Sequence, residues 1–224
     1  MIEAELPLRV FRIGRSPDPW AWPDWSFCGA DGTFGNRFDD PEGVYRVLYA
    51  STERLATFVE CLAYYRPDPE VFAEYERIDG SSDDQAWPPV YGVVPSEWAR
   101  SRLVGTGRPQ GRFVQLGHHE SLAALRSALA GRVVHYGIGD LDAAAVRLSV
   151  PRAFTQEISR YVFEQTVDGH RHWDGICYQS RHGDDLQNWA FFEPSSPAEQ
   201  TSTPFRANDP DLAAALSLHR LTLG

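Results

Sequence analysis

One stretch of the sequence, from Gly35 to Tyr65, constrains the fold more than any other. It begins as a polar loop bounded by glycines (35–43) and continues as a short segment with the pattern of a buried strand (44–50). It ends as a segment with helical periodicity (51–65). The stretch therefore predicts a loop, a strand and a helix in direct succession.

This unit brings three chemically different side chains close together in sequence. Arg37 offers a planar guanidinium that suits phosphate, Tyr49 offers an aromatic ring at the end of the strand, and Glu60 offers a carboxylate on the helix. The other segments are of interest to the extent that they complete a site around these three residues.

The helix has one apolar face. Its residues recur at i, i+3, i+4 and i+7, and they are Leu55, Phe58, Val59 and Leu62. Glu60 lies off this face, between Ala56 and Ala63, which leave space beside the carboxylate. Ser51 or Thr52 is expected to cap the helix. A solvated surface glutamate is the commonest fate of a helical Glu, so the pattern alone leaves a surface role and a catalytic role both open.

The rest of the chain predicts further elements of both kinds. Strands are expected over residues 6–13, 90–94, 111–116, 173–181 and 189–193. Helices are expected over residues 121–130 (with Gly131 as its stop), 140–147 (capped by Asp140) and 155–165, and from Asp209 onward. The intervening parts are predicted as an irregular connection (95–110), an insertion with one short helix (66–89) and a linker (194–206).

The loop over residues 15–31 is unusually aromatic. It holds three tryptophans and three prolines, Trp20, Trp22, Trp25, Pro17, Pro19 and Pro23. Proline at this density excludes a regular helix or a central strand. The rings either pack back on the body of the protein or, for one of them, form a wall against a planar base or a nicotinamide ring.

Composition narrows the class of partner. The net charge of −10 argues against direct nucleic-acid binding, which rests largely on neutralising phosphates. All 21 basic residues are arginine, so a small anionic ligand held by a few local guanidinium groups stays open. No apolar run is long enough to cross a bilayer, and the N-terminus lacks the pattern of a secretory signal. The three cysteines lack metal-type spacing, and free thiols in a reducing cytoplasm are expected.

Two histidine-rich motifs are candidate metal sites. His170 and His172 form an H-x-H pattern without a third ligand at a recognisable spacing, and His118 and His119 form a second pair. Surface turns are favoured for both, and no metal is predicted. Ser180 does not lie in a G-x-S-x-G nucleophile elbow.

The acidic cluster of the loop has two interpretations. Asp39, Asp40 and Glu42 either bind a cation or, as we favour, cap a turn and pair with Arg37 or Arg46. The glycine-rich segments lack the strand–glycine–helix order of a dinucleotide-binding fingerprint.

A second informative block lies near the C-terminus. Ile176, Tyr178 and Ser180 share one face of a predicted strand, and Arg181 follows it. Ser180 is either a ligand-facing hydroxyl at the exit of a buried strand or the first residue of a turn. Asn188 then directly precedes an apolar strand.

In this order, Arg37, Glu60 and Ser180 resemble the RES domain, a bacterial toxin family named for these three residue types. The resemblance rests on four short blocks in the right order: Phe11-Arg12-Ile13, Gly35-Asn36-Arg37-Phe38-Asp39-Asp40-Pro41-Glu42-Gly43, Leu48-Tyr49-Ala50 before the glutamate helix, and Gly175-Ile176-Cys177-Tyr178-Gln179-Ser180-Arg181 followed by Asn188-Trp189-Ala190. Asn36 stands where the family pattern has glycine, and Asp39 where it has asparagine.

The resemblance implies an α+β fold of one domain over residues 1–224, with a core over about 8–193. It implies a core like that of ADP-ribosyltransferases, with mostly antiparallel strands flanked by helices. It also implies a cytoplasmic toxin that consumes NAD as its substrate, needs no cofactor, and pairs with an Xre-type antitoxin. The oligomeric state, including a homo-oligomer, stays open.

The resemblance assigns each site residue a role. Glu60 would stabilise the positive charge on the ribose, Arg37 and Arg12 would hold the pyrophosphate, and Tyr49 would stack on nicotinamide or ribose. Ser180 would bind the ribose or the carboxamide, beside Arg181, and Asn188 would support that strand. The acceptor is expected to be water or phosphate. The alternatives are an ADP-ribosyltransferase with a protein or metabolite target and a partner-binding module without catalysis.

Overall fold

The computed structural model describes residues 1–67, 69–70 and 92–224 and shows a mixed α/β architecture. The strands are β1 (Val10–Arg15), β2 (Val47–Ser51), β3 (Gly92–Val94), β4 (Arg102–Arg108), β5 (Phe113–Gln115), β6 (Thr166–Val167), β7 (His170–Arg171), β8 (Gly175–Gln179), β9 (Gln187–Phe192), β10 (Ala198–Pro204) and β11 (Leu221–Leu223). The described helices are α1 (Arg54–Leu62), α2 (Ser96–Arg100), α3 (His119–Ala128), α4 (Ala130–His135), α5 (Ala143–Leu148), α6 (Arg152–Phe163) and α7 (Pro210–His219), with 3-10 turns at Trp25–Phe27 and Ala63–Tyr65.

A seven-stranded sheet organises these elements, with the strand order β10-β4-β1-β2-β9-β8-β5. Only β5 and β8 run parallel; the other neighbours in this sheet are antiparallel. The predicted α+β class with a mostly antiparallel sheet is confirmed. Two small sheets, β3 with β11 and β6 with β7, lie outside it.

The helices pack on one face of this sheet in two groups. Val47 of β2 belongs to the apolar cluster of α3, α5 and α6. Ser51 lies on the same face of β2 and pairs with Phe11, which packs into the cluster of α1 and α7. The opposite face carries a third cluster that includes Leu48 and Trp20. Helices segregated to one face of an antiparallel sheet are the hallmark of the α+β class.

The central strands are buried on both faces. Trp189 and Phe191 of β9 face one cluster, whereas Ala190 and Phe192 face another, and all four residues are inaccessible to solvent. The predicted alternation of residues 45–50 is confirmed in the same way, because Val47 and Leu48 belong to different clusters. Tyr49 lies in β2 and Asn188 in β9, so these buried strands fix the positions of both residues.

Helix α1 has the predicted apolar face but a different start. Phe58, Val59 and Leu62 are buried against the α7 cluster. The N-cap is Glu53, without a side-chain hydrogen bond, so the expected cap by Ser51 or Thr52 is wrong. Ser51 is instead the last residue of β2, and its hydroxyl is used elsewhere in the fold.

Two predicted connections contain strands of the main sheet. The connection over 95–110 holds α2 and β4, and the linker over 194–206 holds the edge strand β10. Both strands lack apolar alternation. β4 contains Gly105, where a Cβ would lie 2.6 Å from Trp20 Nε1, and β10 consists largely of exposed small and polar residues. β4 lacks the alternation because a ring packs closely against its glycine, and β10 lacks it because it lies at the edge of the sheet.

Several element boundaries also differ. β1 begins at Val10, and the preceding Leu8 is exposed. Gly131 does not stop the chain from being helical, since α4 runs through it. Asp142, rather than Asp140, caps α5, because Asp140 accepts from Arg126 instead. The predicted insertion over 66–89 lies largely outside the described residues.

The remaining expectations concern cysteine and membranes. Cys28, Cys61 and Cys177 are all free thiols. Burial raises the pKa of Cys61 to about 11 and that of Cys177 to about 12. Across residues 1–67, 69–70 and 92–224, the helices are too short or too polar to traverse a bilayer.

Candidate active site

A cavity of about 570 Å³ opens between α1, the loop before β2 and the N-terminus of α6. Six of the seven site residues predicted from the sequence line it: Arg12, Arg37, Tyr49, Glu60, Arg181 and Asn188. The volume lies within the range that protein pockets for small molecules show. The cavity therefore joins the two parts of the sequence that were expected to share a site.

Glu60 is held from one side only. Its Oε1 atom accepts two hydrogen bonds, from Ser180 Oγ at 2.6 Å and from Asn188 Nδ2 at 2.7 Å. Its Oε2 atom accepts none from the described residues, and the side chain keeps 34% of its surface exposed. The carboxylate is thus fixed in orientation and still has lone pairs available for a ligand.

The two donors to Glu60 are themselves fixed. Asn188 is 1% exposed, and its Oδ1 accepts a hydrogen bond from Ser51 Oγ at 2.6 Å. This bond orients the side-chain amide so that Nδ2 points toward Glu60. Ser180 is also 1% exposed, and its Oγ accepts from the His182 backbone N–H at 2.9 Å. Ser180 is not among the cavity-lining residues, so its hydroxyl lies behind the carboxylate rather than facing a ligand.

The space beside Glu60 is shaped differently from the prediction. Ala63 lines the cavity as expected, but Ala56 is fully buried in the core and does not. Thr57, one turn before Glu60, takes that place on the cavity wall. The i−3 position therefore lines the cavity beside Glu60, whereas the i−4 position packs in the core.

Arg37 reaches the cavity from the loop before β2. Its Nη2 donates to the carbonyl oxygen of Arg147 at 2.8 Å, and its guanidinium lies 5.3 Å from the ring centroid of Tyr178. Desolvation lowers the pKa of Arg37, and the Glu60 carboxylate opposes that shift. Arg12 is fixed by two backbone carbonyls, donating from Nε to Pro19 and from Nη1 to Tyr49, each at 2.8 Å.

Tyr49 is anchored by its hydroxyl. The hydroxyl donates to Asp39 Oδ1 at 2.8 Å and accepts from the backbone N–H of Phe38 at 2.9 Å. Asp39 Oδ2 accepts from the backbone and the side-chain amide of Asn36. Desolvation raises the pKa of Asp39, and burial together with the Asp39 charge raises that of Tyr49. The ring of Tyr49 is left as the part that lines the cavity.

The acidic loop pairs differently from the expectation. Asp39 and Asp40 do cap turns, because Asp39 binds Asn36 and Asp40 accepts from the Val44 N–H. The expected pairing with Arg37 or Arg46 is wrong. Asp40 and Glu42 pair with Arg160 of α6. Arg46 pairs with Glu193, which no pattern near the loop indicates.

Among the further cavity residues that the sequence did not assign to the site are Arg152, His182 and Phe34. Arg152 begins α6, His182 follows Ser180 and Arg181, and Phe34 precedes the glycine of the loop. The position of His182 in the sequence does indicate the site, since it directly follows Ser180 and Arg181 at the end of a predicted strand. Arg152 carried no local signal, because only the tertiary packing of α6 brings its N-terminus to the cavity.

The aromatic loop contributes little to this cavity. Trp20 is buried in the core, and Trp25 contacts Phe34 and Arg46. Neither of them lines the cavity. Of the Trp and Pro residues named in that loop, Pro23 alone lines it. His118, His119 and Glu120 place ligand atoms within 4.8 Å of one another on the surface, away from the cavity lining. His170 lies in the short β6–β7 hairpin.

The cavity arginines favour an anionic ligand, and the Glu60 carboxylate favours a reaction in which one atom of that ligand develops positive charge. Of the described arginines, the four that line the cavity form no ion pair, whereas the ten that form ion pairs line other parts of the surface. Those four are Arg12, Arg37, Arg152 and Arg181. An oriented carboxylate opposite such cations suits a phosphate-bearing molecule with an electron-deficient centre.

Comparison with known proteins agrees with the sequence blocks. The RES domain family pattern matches residues 9–215. Among solved structures, the crystal structure of the M. tuberculosis MbcT-MbcA toxin-antitoxin complex is similar, with 10% identity and a TM-score of 0.44 over 97% of this chain and 91% of that chain. A search of curated proteins finds no match.

Proposed function

Because the chain belongs to the RES domain family, we propose that it cleaves the nicotinamide–ribose bond of NAD, with water or phosphate as the acceptor. We propose further that it is the toxin of a toxin–antitoxin pair, acts in the cytoplasm and is neutralised by an Xre-type antitoxin. The observation that carries the catalytic proposal is Glu60. Its carboxylate is oriented through Oε1 and has no described hydrogen-bond partner at Oε2, in a cavity lined by unpaired arginines.

The arginines support a substrate with a diphosphate. Four arginines that form no ion pair with the described residues line this one cavity: Arg12, Arg37, Arg152 and Arg181. The positive charges of these four arginines would balance a ligand that carries at least two negative charges. Guanidinium groups bind phosphate oxygens with charge-assisted, often bidentate hydrogen bonds. Arg37, whose guanidinium donates one hydrogen bond to the described residues, to the carbonyl oxygen of Arg147, is proposed to bind the diphosphate, with Arg181 beside it.

The reaction separates one bond and forms one. The bond between the ribose C1′ and the nicotinamide ring nitrogen breaks, and its electron pair goes to the nitrogen, so nicotinamide leaves as a neutral molecule. C1′ carries positive charge until an oxygen of water or phosphate bonds to it. Water loses one proton as it adds. The step needs no redox partner and no metal ligand from the chain.

Glu60 is proposed to stabilise the charge on C1′ through Oε2. A fixed carboxylate in a partly dehydrated cavity needs no reorganisation when that charge develops, and this is the source of its catalytic effect. Oε2 can also accept the proton that an attacking water loses. Ser180 and Asn188 are proposed to hold Oε1, so that Ser180 acts through Glu60 rather than on the ribose.

The aromatic residues are proposed to position the nicotinamide end. The rings of Tyr49, Tyr178 and Phe34 line the cavity. The hydroxyl of Tyr49 is held by Asp39 and Phe38, so the ring plane is fixed before a ligand arrives. A preset ring stacks on a planar ligand at a smaller entropic cost than a mobile one.

The experiment is a product assay with purified protein that has been freed of any bound partner. NAD is incubated with and without inorganic phosphate, and nicotinamide, ADP-ribose and ADP-ribose phosphate are quantified by mass spectrometry. Glu60→Gln keeps an acceptor for Ser180 and Asn188 but removes the charge. We expect the rate to fall by roughly a hundredfold or more, the scale of losing one electrostatic stabiliser, about 3–4 kcal/mol.

Two comparisons sharpen this assay. Glu97→Gln, on the exposed surface of α2, is the matched control and should keep the wild-type rate. Arg37→Gln should raise KM for NAD by about tenfold or more, the scale of a hydrogen bond to a charged group, with the smaller effect on kcat. Full activity in Glu60→Gln would overturn the proposal. Nicotinamide release only after addition of a cell extract would indicate a transferase with a macromolecular target.

The toxin proposal has a separate test. Expression of the chain in a bacterial host should arrest growth and lower cellular NAD, and Glu60→Gln should do neither. Tyr64 lines the mouth of the cavity and is 87% exposed, which suits contact with a covering protein. Co-expression of a helix-turn-helix protein encoded beside the chain should restore growth. Growth arrest by the Glu60→Gln variant would contradict an effect through NAD.

A further inference from the structure

Among the residues that the structure describes, the buried ring of His182 has no hydrogen-bond partner at Nε2. Its side chain is 8% exposed, and the Nε2 atom is inaccessible to solvent. Glu60 Oε2 lies 3.9 Å from this nitrogen, which is too long for a hydrogen bond. Buried polar atoms in native proteins nearly always have a partner, so an orphaned imidazole nitrogen beside the candidate catalytic carboxylate requires an explanation.

The same residue already acts on the other oxygen of Glu60. The backbone N–H of His182 donates to Ser180 Oγ at 2.9 Å, and Ser180 Oγ donates to Glu60 Oε1 at 2.6 Å. One residue therefore reaches Oε1 through its main chain and Ser180, and lies beside Oε2 with its ring. A surface histidine that merely fills space would have neither relation.

A second histidine holds the ring of His182 in place. The ring of His219, from α7, packs edge-on against it with centroids 5.5 Å apart. His219 Nε2 lies 2.8 Å from the backbone carbonyl oxygen of Val59, and since that oxygen only accepts, Nε2 carries the proton. The pair is thus tied to α1 at the residue before Glu60. Its position follows the position of the catalytic carboxylate.

We propose that His182 is a positioning residue for Glu60, in the reaction proposed above. In its neutral form, with the proton on Nε2, the ring donates to Glu60 Oε2 when a ligand fills the cavity and draws the carboxylate toward the ring. Oε1 is then held by Ser180 and Asn188, and Oε2 by His182. The carboxylate keeps its full charge and has a single orientation toward C1′.

The groups around His182 favour its neutral form. Burial lowers the pKa of His182, and the cations of Arg181 and Arg66 and the ring of His219 lower it further, whereas Glu60 raises it. The imidazole is therefore uncharged at neutral pH. Below that pKa, an imidazolium beside Oε2 would offset the negative charge that C1′ requires. The proposal thus predicts that kcat falls as the pH is lowered through the pKa of His182.

The kinetic test uses two variants of different chemistry. His182→Phe fills the space and cannot donate, so kcat should fall roughly ten- to hundredfold, the scale of one hydrogen bond to a charged group, with KM within about twofold. His182→Gln places an amide N–H near the position of Nε2 and should recover most of that loss. It should also lack the loss of rate that His182 protonation causes as the pH is lowered through the pKa of His182. His170→Phe, in the exposed hairpin, is the matched control and should behave as wild type.

A second measurement is independent of turnover. The pKa of His182 is followed by NMR of the imidazole protons in the wild type, in Glu60→Gln and in the control Glu97→Gln. Loss of the Glu60 carboxylate should lower the pKa of His182, and loss of Glu97 should leave it unchanged. The circular dichroism spectrum and Tm of each variant identify any that fails to fold.

The two measurements separate this inference from the proposed function. A coupled His182 pKa in a protein that does not cleave NAD would contradict the proposed function and leave the pairing with Glu60 in place. NAD cleavage with wild-type kcat and pH profile in His182→Phe would overturn the inference alone. Equal losses in folded His182→Phe and His182→Gln would also overturn it, because the effect would then come from shape rather than from the donor.

Discussion

Two carboxylates line the same cavity, and their surroundings are opposite. Asp39, on the loop before β2, is 2% exposed and both of its oxygens accept hydrogen bonds, Oδ1 from Tyr49 and Oδ2 from Asn36. Glu60, on α1, is partly exposed and accepts both of its hydrogen bonds at Oε1. The loop uses its acid to hold itself together, whereas the helix presents its acid to the cavity.

The difference shows that residue type and position at a cavity do not by themselves identify a catalytic acid. The orientation of the donors decides which oxygen is left for a ligand. Asp39 is saturated by groups from its own loop and from β2, so a ligand would have to displace one of them. Glu60 is fixed by groups from β9 and from the end of β8, all on one oxygen. We therefore expect changes at the Glu60 end to alter turnover and changes at the Asp39 end to alter stability.

The largest difference expected between the two ends comes from removing one donor to each carboxylate. Asn188→Ala deletes a donor to Glu60 and the acceptor of Ser51, and kcat should fall roughly tenfold or more, since a hydrogen bond to a charged group contributes about 1.5–3 kcal/mol. Asn36→Ala deletes an exposed donor to Asp39, whose Oδ2 still accepts the backbone N–H, so kcat should stay within about threefold.

The same assay decides whether the two ends differ. Nicotinamide release is measured for both variants, and thermal denaturation shows that each is folded. If Asn36→Ala lost as much turnover as Asn188→Ala, the Asp39 loop would belong to the catalytic machinery and the contrast between the two carboxylates would fail.

The contrast also separates what local sequence can predict from what it cannot. Arg37, Tyr49 and Glu60 lie on one continuous loop, strand and helix, and the structure places all three on the cavity. Pairing of β2 with β9 brings Asn188 opposite Ser51, which explains how a residue far along the chain joins them. The order of the family blocks indicated that meeting, but not that both donors would bind the same oxygen.

The misses have a common physical cause. Arg152 and His219 reach the site through the packing of α6 and α7, which periodicity predicts as helices without saying where they lie. β4 contains glycine where a ring packs closely on it, and β10 carries small and polar residues because it is an exposed edge strand, so both lack the alternation that identifies a strand. Sequence patterns report which face of an element is apolar, and tertiary contacts decide which elements meet.

A smaller effect is expected at the Asp39 end, from the hydroxyl of Tyr49. Tyr49→Phe leaves Asp39 Oδ1 and the Phe38 N–H without their partner, and the free energy of unfolding should fall by about 1–3 kcal/mol. The ring is retained, so kcat should stay within about threefold. Tyr161→Phe removes a hydroxyl that makes no hydrogen bond to the described residues and serves as the control in urea denaturation. A large loss of kcat at unchanged stability would place the Tyr49 hydroxyl in the reaction instead.

The smallest expected effect is the pH dependence that burial gives to Asp39. Desolvation raises the pKa of its carboxyl, so the folded state binds that proton more tightly than the unfolded chain does. The stability that this binding contributes is fully present below the unfolded pKa, near about 3.9, and is lost as the pH rises through the folded pKa. Asp39→Asn, which restores the residue of the family pattern, lacks this loss. The difference in unfolding free energy should therefore shift toward the Asn variant as the pH rises from below the unfolded pKa through the folded pKa of Asp39.

Asp31 provides the control of opposite sign. Hydrogen bonds from Thr33 lower its pKa, so its contribution is present above the unfolded pKa and is lost as the pH falls. Asp31→Asn should accordingly lose ground against the wild type as the pH rises, while Asp39→Asn gains it, in the same series of urea denaturations. Parallel behaviour of the two variants would mean that the Asp39 carboxyl titrates like an exposed one. Its saturated hydrogen bonds would then outweigh its burial, and Asp39 and Glu60 would differ in geometry but not in the energy of their charged forms.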